Sequence, residues 1–187
     1  MTRILGISGS LRAGSYNTAL LRAAQAVSGD SIELELATLH GIPLYDGDLE
    51  QREGLPAAVT ALKEKVIDCH GVLLATPEYN NGIPGVFKNS IDWLSRPASD
   101  ISRVFGHRAF ALIGASPGGF GTILAQNAWL PVVRTLGVRH WAGGRLMVSR
   151  ASQLFDKQGQ LRDEKVREQL AKFLAGFAAF AAEAPAR

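Results

Sequence analysis

The chain contains 187 residues, 47% of them hydrophobic and 20% charged, and carries a formal net charge of +3. This composition excludes a disordered chain, and the length suits a single domain spanning residues 1–187 with a continuous core. The basic residues are scattered rather than clustered, so nucleic acid is not expected as a partner. No apolar run approaches the length of a membrane span, and we therefore expect a cytoplasmic protein that does not associate with membranes.

Cysteine and histidine usage does not predict a metal centre. Cys69 is the one cysteine, which excludes an internal disulfide and a metal cluster built from thiols alone. Its place at the end of an apolar helical pattern predicts a buried core residue rather than a nucleophile. The histidines show no spacing typical of metal ligands. They are His40, His70, His107 and His140.

The first element of the chain is a short strand followed by a loop and a helix. An apolar run over residues 4–8 leads into glycines and serines, and helical periodicity follows over residues 20–27. The free N–H groups at the start of such a helix, and the positive end of its dipole, favour an anion. Groups that can donate further hydrogen bonds to a phosphate are the side chains of Ser10, Arg12, Ser15, Asn17 and Thr18.

Two known phosphate-binding motifs are incomplete in this loop, which limits the kinds of phosphate ligand that it is expected to bind. Gly9 and Gly14 have the spacing of a Walker loop, but Ser15 stands where that motif requires lysine. The glycine spacing also differs from the dinucleotide fingerprint, so Glu33 or Glu35 has no established ribose role. A monophosphate held by serines and one arginine fits this loop. The alternative is an ordinary turn that caps a helix.

Further strands are predicted from apolar patterns along the chain. Residues 32–36 alternate apolar and charged side chains, which is typical of an edge strand with one buried face. Residues 71–75 and 109–114 are continuously apolar, which predicts central strands covered on both sides, and residues 146–148 form a fifth strand. Because strands and helices alternate, we predict a doubly wound parallel α/β sheet of five strands, with helices on both faces and strand order 2-1-3-4-5.

The helices between these strands are predicted from residues that recur at helical spacing. Pro131 lies inside one of them, where it removes a hydrogen bond to the carbonyl of Asn127 and predicts a kink. Gly137 is expected to end the same helix. The predicted helices cover residues 55–69, a segment that begins at Pro84 and runs to Leu94, residues 122–136, and a final segment capped by Asp163.

Two further loops are expected at the edge of the sheet where the first loop lies. In a sheet of this order, ligands bind at the carboxyl ends of the strands, near the first and third strands. Residues 76–85 and 115–121 follow the third and fourth strands and are rich in proline, glycine and small polar residues. Such loops expose backbone groups and suit the faces and polar edges of a flat heterocycle. Each loop by itself is equally consistent with an ordinary turn.

The first two loops also resemble those of a known family. Residues 9–17 and residues 77–93, which begin Pro-Glu-Tyr-Asn-Asn-Gly-Ile-Pro-Gly, closely resemble the NAD(P)H-dependent FMN reductases, particularly the bacterial quinone and chromate reductase branch. The resemblance extends over most of the chain and implies a flavodoxin-like fold. By matching position, it implies that three loops bind FMN. The first supplies Ser10, Arg12, Ser15, Tyr16 and Asn17 around the phosphate, the second supplies Pro77, Glu78, Tyr79, Asn80, Asn81 and Gly82 along the ring and ribityl chain, and the third supplies Ser116, Gly118 and Gly119.

The same resemblance implies an oxidoreductase in which the flavin carries the chemistry, so no catalytic side chain is expected. NADPH or NADH would transfer hydride to N5 of FMN, and a quinone, chromate, azo or nitro compound would then be reduced in the vacated site. Backbone N–H groups of residues 80–82 and of Gly118 and Gly119 are candidates for stabilising negative charge on the reduced ring. Glu78 is expected to orient its loop.

The resemblance further implies a homodimer or homotetramer with the flavin near the subunit boundary. Trp93, Trp129 and Trp141 are candidate aromatic anchors for such an interface. In the helix after the second loop, Lys88 and Asp92 are four residues apart, which predicts an ion pair.

Two other functions remain open from the sequence. An electron carrier of the flavodoxin type would bind FMN without oxidising nicotinamide. Its surface would normally be acidic, whereas this chain has a pI of about 9.2. A sensor that binds a phosphate ligand without catalysis would need no flavin.

Overall fold

The structure is a computed structural model that describes residues 1–183. It consists of a parallel β-sheet with helices on both faces. The strands are β1 (Thr2–Ser8), β2 (Ile32–Ala37), β3 (Gly71–Ala75), β4 (Ala109–Ala115), β5 (Arg139–His140) and β6 (Leu146–Val148). The helices are α1 (Tyr16–Val27), α2 (Gly47–Glu53), α3 (Ala57–Asp68), α4 (Gly85–Leu94), α5 (Ile101–Phe105), α6 (Ile123–Thr135), α7 (Ala151–Leu154) and α8 (Glu164–Ala182). A short 3₁₀ helix, Ala98–Asp100, precedes α5.

The order of the strands confirms the predicted topology. β1 lies between β2 and β3, and β4 follows β3, with every pairing parallel. The fifth position is shared by two short strands, because β5 pairs with the start of β4 and β6 pairs with its end. The predicted strand over residues 146–148 is therefore β6, and β5 is a sixth strand that the sequence did not predict.

The interruption between β5 and β6 has a packing cause. The segment between these strands leaves the sheet, and the ring of its Trp141 lies 4.7 Å from that of Phe173 in α8. A Cβ at Gly143 would lie 2.7 Å from the indole nitrogen, and one at Gly176 of α8 would lie 2.9 Å from the indole ring. These glycines leave room for the indole ring between the segment and α8.

The central strands separate two hydrophobic cores. In β1, Ile4 belongs to the core formed with α1 and α8, whereas Leu5 belongs to the core formed with α3, α4 and α6. β3 and β4 are likewise buried on both faces, which explains their continuously apolar sequences. β2 lies at the edge of the sheet, and its Glu33 and Glu35 are exposed.

The long helices confirm the sequence predictions, and the short ones were missed. α1, α3, α4, α6 and α8 lie where periodicity placed them, and the Asp163 carboxylate caps α8 by accepting the N–H of Val166 at 2.9 Å. α2, α5 and α7 have seven residues or fewer, too few to show a helical pattern. Gly137 follows α6 with a φ of 71°, as expected for a glycine that ends a helix. The kink at Pro131, inside α6, stays a prediction.

Two of the three tryptophans lie in the core and not at a subunit interface as predicted. Trp93 and Trp129 are fully buried, and their rings pack against Tyr45 and Phe87, respectively. The prediction that these two residues anchor a subunit interface was wrong, because both belong to the core between the sheet and α3, α4 and α6.

Two predictions about single side chains are confirmed. Cys69 is buried as predicted, and burial raises the pKa of its thiol to about 11, which disfavours the nucleophilic thiolate. Lys88 and Asp92 form an ion pair, with Nζ 2.6 Å from Oδ1.

Residues 1–183 contain no group of His, Cys, Asp and Glu side chains suited to a metal ion, and their helices are too short or too polar to cross a bilayer.

Gly9 sets how closely the loop after β1 approaches α4. A Cβ at Gly9 would lie 2.1 Å from Cδ1 of Phe87, whereas one at Gly14 would meet nothing within 4 Å. We expect Gly9→Ala to lower the free energy of unfolding by about 1–3 kcal/mol through overpacking. The control Gly14→Ala should change it by less than about 0.5 kcal/mol. Urea denaturation followed by circular dichroism measures both, and equal stabilities would contradict the tight Gly9–Phe87 contact.

Candidate functional site

Three loops meet at the carboxyl edge of the sheet and enclose a cleft of about 490 Å³, here called the three-loop cleft. Loop 1 (residues 9–15) joins β1 to α1, loop 2 (residues 76–84) joins β3 to α4, and loop 3 (residues 116–122) joins β4 to α6. This is the edge at which the topology predicts a ligand. The cleft is lined by Ser10, Arg12, Ser15, Tyr16, Asn17, Pro77, Glu78, Tyr79, Ala115, Ser116 and Pro117.

Most of the residues singled out from the sequence line this cleft. Ala115 and Pro117 also line it; they lie in the loop predicted over residues 115–121 but were not named as site residues. Their position at the end of β4 could have identified them, because backbone at the carboxyl end of a central strand borders the crevice whatever its side chain. The predicted residues that do not line the cleft are Thr18 in α1 and, on loops 2 and 3, Asn80, Asn81, Gly82, Gly118 and Gly119.

Loop 1 is held in shape by its own serine hydroxyls. The Ser15 Oγ caps α1 by accepting the N–H groups of Asn17 at 3.2 Å and Thr18 at 3.3 Å. The Ser10 Oγ accepts the N–H of Arg12 at 3.3 Å. Both serines are buried. Because each hydroxyl oxygen acts as an acceptor here, its hydrogen remains available for a ligand.

The backbone of loop 1 leaves several N–H groups without a protein acceptor. Within residues 1–183, these are the N–H groups of Ser10, Leu11, Ala13 and Gly14, and that of Tyr16 directly after the loop. Tyr16 is also the first residue of α1, so the positive end of the helix dipole lies at the same place. The start of α1 can therefore attract an anion through backbone groups.

Arg12 is the cation that lines the three-loop cleft. Its Nη2 donates to the carbonyl of Gly14 at 2.7 Å, and its guanidinium carbon lies 5.7 Å from the ring centre of Tyr16. These contacts place a positive charge beside the free N–H groups of loop 1. A guanidinium has five N–H donors, so most of them remain available for an anion.

Asn17 connects loop 1 to β4. Its Nδ2 donates to the carbonyl of Ala115, and its Oδ1 accepts the N–H of Ala115, both at 2.9 Å. The Thr18 hydroxyl is paired with that of Ser8 at 2.7 Å. Both side chains, which the sequence grouped with the phosphate donors, therefore help to build the site. Asn17 keeps one further amide hydrogen for a ligand.

Loop 2 contains a tight turn next to an exposed aromatic side chain. Asn80 and Asn81 have φ values of 50° and 61°, a left-handed conformation that asparagine adopts more readily than most residues. Tyr79 and Gly82 close the turn with two backbone hydrogen bonds of 3.2 and 3.0 Å. The Tyr79 side chain is 50% exposed and borders the cleft together with Pro77.

Glu78 joins loop 2 to α6. Its Oε2 accepts the N–H groups of Leu124 at 2.8 Å and Ala125 at 3.0 Å, in the first turn of that helix. Thr122, directly before α6, has a left-handed backbone, and its side chain makes no capping hydrogen bond. A carboxylate from another loop thus caps α6, where the helix dipole also favours negative charge. This contact fixes loop 2 against α6.

Loop 3 is held by the segment that follows β6. The carbonyl of Ser116 accepts the N–H of Ala151 at 3.0 Å, and the carbonyl of Gly118 accepts the N–H of Arg150 at 2.8 Å. A Cβ at Gly118 or Gly119 would meet nothing within 4 Å. The packing of the protein itself therefore does not require glycine at these two positions.

Comparison with known proteins identifies the family of this chain. A family model described as NADPH-dependent FMN reductase matches residues 2–153, which include all three loops of the cleft. The chain belongs to that family. Membership makes it an oxidoreductase that works with FMN and NAD(P)H.

Individual FMN reductase relatives are similar over nearly the whole chain. It is 43% identical over 166 residues to an NAD(P)H-dependent FMN reductase of Pseudomonas aeruginosa, covering 89% of this chain and 88% of the relative. It is 32% identical over 178 residues to a 2-hydroxy-1,4-benzoquinone reductase of a Burkholderia species, covering 95% of each. Among solved structures, the flavoenzyme NAD(P)H:acceptor oxidoreductase FerB from Paracoccus denitrificans superposes with a TM-score of 0.86, at 29% identity over 97% of both chains.

Substitution of Glu78 tests the contact between loop 2 and α6. Glu78→Ala leaves the N–H groups of Leu124 and Ala125 uncapped, and we expect it to lower the free energy of unfolding by about 1 kcal/mol. The control Glu78→Gln keeps a side-chain oxygen as acceptor and should lose less. Chemical denaturation of the two variants and the wild type measures the difference. Wild-type stability in Glu78→Ala would show that the carboxylate does not cap α6.

Proposed function

We propose that the three-loop cleft binds FMN and that the protein uses NADPH or NADH to reduce a quinone. The observation that carries this proposal is loop 1, where N–H groups without protein acceptors lie beside Arg12 at the start of a helix. These groups match the charge and the acceptor oxygens of a phosphate monoester. The residues proposed to hold the phosphate are Ser10, Arg12, Ser15, Tyr16 and Asn17.

The flavin ring is proposed to lie between loops 2 and 3. Pro77 and Tyr79 provide apolar surface, and the space beside Gly118 and Gly119 is open. Within residues 1–183, the N–H groups of Asn81, Gly118 and Gly119 have no protein acceptor, so they are available to the polar edge of a ring. The residues proposed to border the ring and ribityl chain are Pro77, Glu78, Tyr79, Asn80, Asn81, Gly82, Ser116, Gly118 and Gly119.

In this proposal, the protein binds and orients the reactants, and FMN carries out the redox chemistry. When bound, FMN supplies the redox chemistry, which is acceptance of hydride from the nicotinamide and reduction of the second substrate. The Glu78 carboxylate is engaged by two N–H groups of α6, so we assign it a positioning role. Backbone N–H groups at the ring edge stabilise negative charge without any rearrangement of side chains.

A quinone is the proposed acceptor because the Burkholderia relative is named a benzoquinone reductase. Chromate, azo and nitro compounds are further candidates, since an open ring face does not discriminate among them. We also propose a cytoplasmic homodimer or homotetramer. Exposed apolar side chains in loop 3 and on α6 support subunit association there, namely those of Phe120, Ile123, Leu124 and Leu130.

A turnover assay tests the proposed function directly. The purified protein loaded with FMN should oxidise NADPH or NADH steadily when 1,4-benzoquinone is added, which the loss of nicotinamide absorbance measures. The same FMN with heat-denatured protein is the control for uncatalysed reaction. Bound FMN without nicotinamide oxidation would favour an electron carrier, and failure to bind FMN would favour a sensor of another phosphate ligand.

Substitution of Arg12 tests the placement of the phosphate. We expect Arg12→Ala to weaken FMN binding by about 1.5–3 kcal/mol, the usual contribution of a hydrogen bond to a charged group. Arg12→Lys keeps the charge without the planar donor set and should bind with intermediate affinity. Quenching of FMN fluorescence on titration with apoprotein measures the dissociation constants.

Riboflavin, which lacks the phosphate, is the matched control ligand for Arg12. Its affinity should be the same for the wild type and for Arg12→Ala. Unchanged FMN affinity in Arg12→Ala would place the phosphate away from loop 1.

A further inference from the structure

A second cleft lies between α8 and the segment from Trp141 to Ser149. We call it the α8 cleft. Its volume is about 860 Å³, against about 490 Å³ for the three-loop cleft, and the two share no lining residue. Lys165 and Lys172 lie on the same face of α8, because they are separated by two helical turns. The α8 cleft is thus a distinct cavity with a positively charged helical wall.

The positive charge of the α8 cleft is not neutralised by the protein. Arg145, which directly precedes β6, lines the cleft together with Lys165 and Lys172. Within residues 1–183, these three side chains take part in none of the ion pairs, and no Asp or Glu lines the cleft. A cavity lined by charges of one sign concentrates ligands of the opposite sign. The α8 cleft is therefore suited to a ligand with more than one negative charge.

The acidic residues nearest to this wall do not alter that conclusion. Glu164 lies 3.7 Å from Arg167, with which it pairs on the same helix. Glu168 is exposed and is not part of the lining. Glu168 lies three residues from Lys165 and four from Lys172, so it offsets part of their charge, and the side chains around the cleft keep an excess of positive charge.

An aromatic side chain lies in the same cleft. Trp141 lines it and is half-buried, with its ring held against Phe173 in an edge-to-face contact. No acceptor within residues 1–183 receives its indole N–H. Gly143 and Gly176 pack closely on this ring, so a ligand can contact the part of the indole that stays exposed and its N–H donor.

We propose that the α8 cleft binds a nucleotide, with phosphates at Arg145, Lys165 and Lys172 and the base against Trp141. Guanidinium and ammonium groups are the usual side-chain partners of phosphate. An aromatic side chain is the usual partner of a base, because every base has a flat face. An inorganic anion would need neither the volume of the cleft nor its indole ring.

The nucleotide has two possible sources with the same chemistry. It is either a free nucleotide or the phosphorylated adenosine end of NADPH, and the second source rests on the proposed function. A backbone hydrogen bond joins the walls of the two clefts. Val148 lines the α8 cleft and accepts the N–H of Ser116, which lines the three-loop cleft.

Isothermal titration of the FMN-loaded protein with ADP and with adenosine 2′,5′-bisphosphate tests the proposal. FMN loading fills the proposed phosphate and ring positions of the three-loop cleft, and the comparison of variants assigns the remaining heat to the α8 cleft. We expect both probes to bind the wild type and the dissociation constants to rise at least about tenfold in the double variant Lys165→Gln/Lys172→Gln. Two lost phosphate contacts account for a change of that size.

The control is the double variant Arg134→Gln/Lys157→Gln, which removes two positive charges outside the α8 cleft. The dissociation constants of both probes should change less than about threefold in this control, because the loss of two distant charges acts only through the net charge and is screened by salt. Absence of binding to the wild type, or equal weakening in the two double variants, would overturn the proposal. Because this titration uses no turnover, it can fail while the proposed function stands.

Steady-state kinetics distinguish the two sources of the nucleotide. If the cleft receives the NADPH end, Lys165→Gln/Lys172→Gln should raise KM for NADPH at least about fivefold and leave KM for NADH nearly unchanged, because NADH lacks the 2′-phosphate. If KM for NADPH is unchanged while ADP binding is lost, the cleft serves a free nucleotide.

Discussion

The pair of hydrogen bonds between the Asn17 side chain and the backbone of Ala115 is the constraint on which the three-loop cleft depends. It connects the first turn of α1 with the end of β4, across the intervening strand β3. The side chain is buried, so loss of either bond would leave a polar group without a partner at a cost of about 1–3 kcal/mol. The distance between loop 1 and loop 3 is thereby set by the protein before any ligand binds.

Loop 2 is fixed both by a contact with a segment far away in the chain and by a local turn. Glu78 holds loop 2 to the start of α6, and the turn between Tyr79 and Gly82 closes on itself. A site built in this manner does not have to order its backbone when a ligand arrives, which preserves binding free energy. It also divides the polar residues into those that build the cleft and those, such as Arg12, that are free to contact a ligand.

Charge is distributed unevenly between the two clefts. The net charge of +3 is small, and along the sequence the basic residues look scattered. Folding places Arg12 in the three-loop cleft and gathers Arg145, Lys165 and Lys172 around the α8 cleft. FMN and nicotinamide dinucleotides are both anionic, so this distribution supports the proposal that they bind at these clefts.

The sequence by itself determined the strand order and the positions of the long helices, because hydrophobic periodicity is a local property and parallel crossovers have one hand. It also located the three loops, since the carboxyl ends of neighbouring strands must meet. Only the tertiary structure decided that β5 and β6 share one position in the sheet, that Trp93 and Trp129 are core residues, and what the polar side chains of the site contact. The physical reason is sequence separation: Glu78 meets Leu124 from 46 residues away and Asn17 meets Ala115 from 98. No local sequence pattern reveals a partner at such a distance. From the sequence alone, polar side chains such as those of Glu78 and Asn17 are therefore assigned to a ligand.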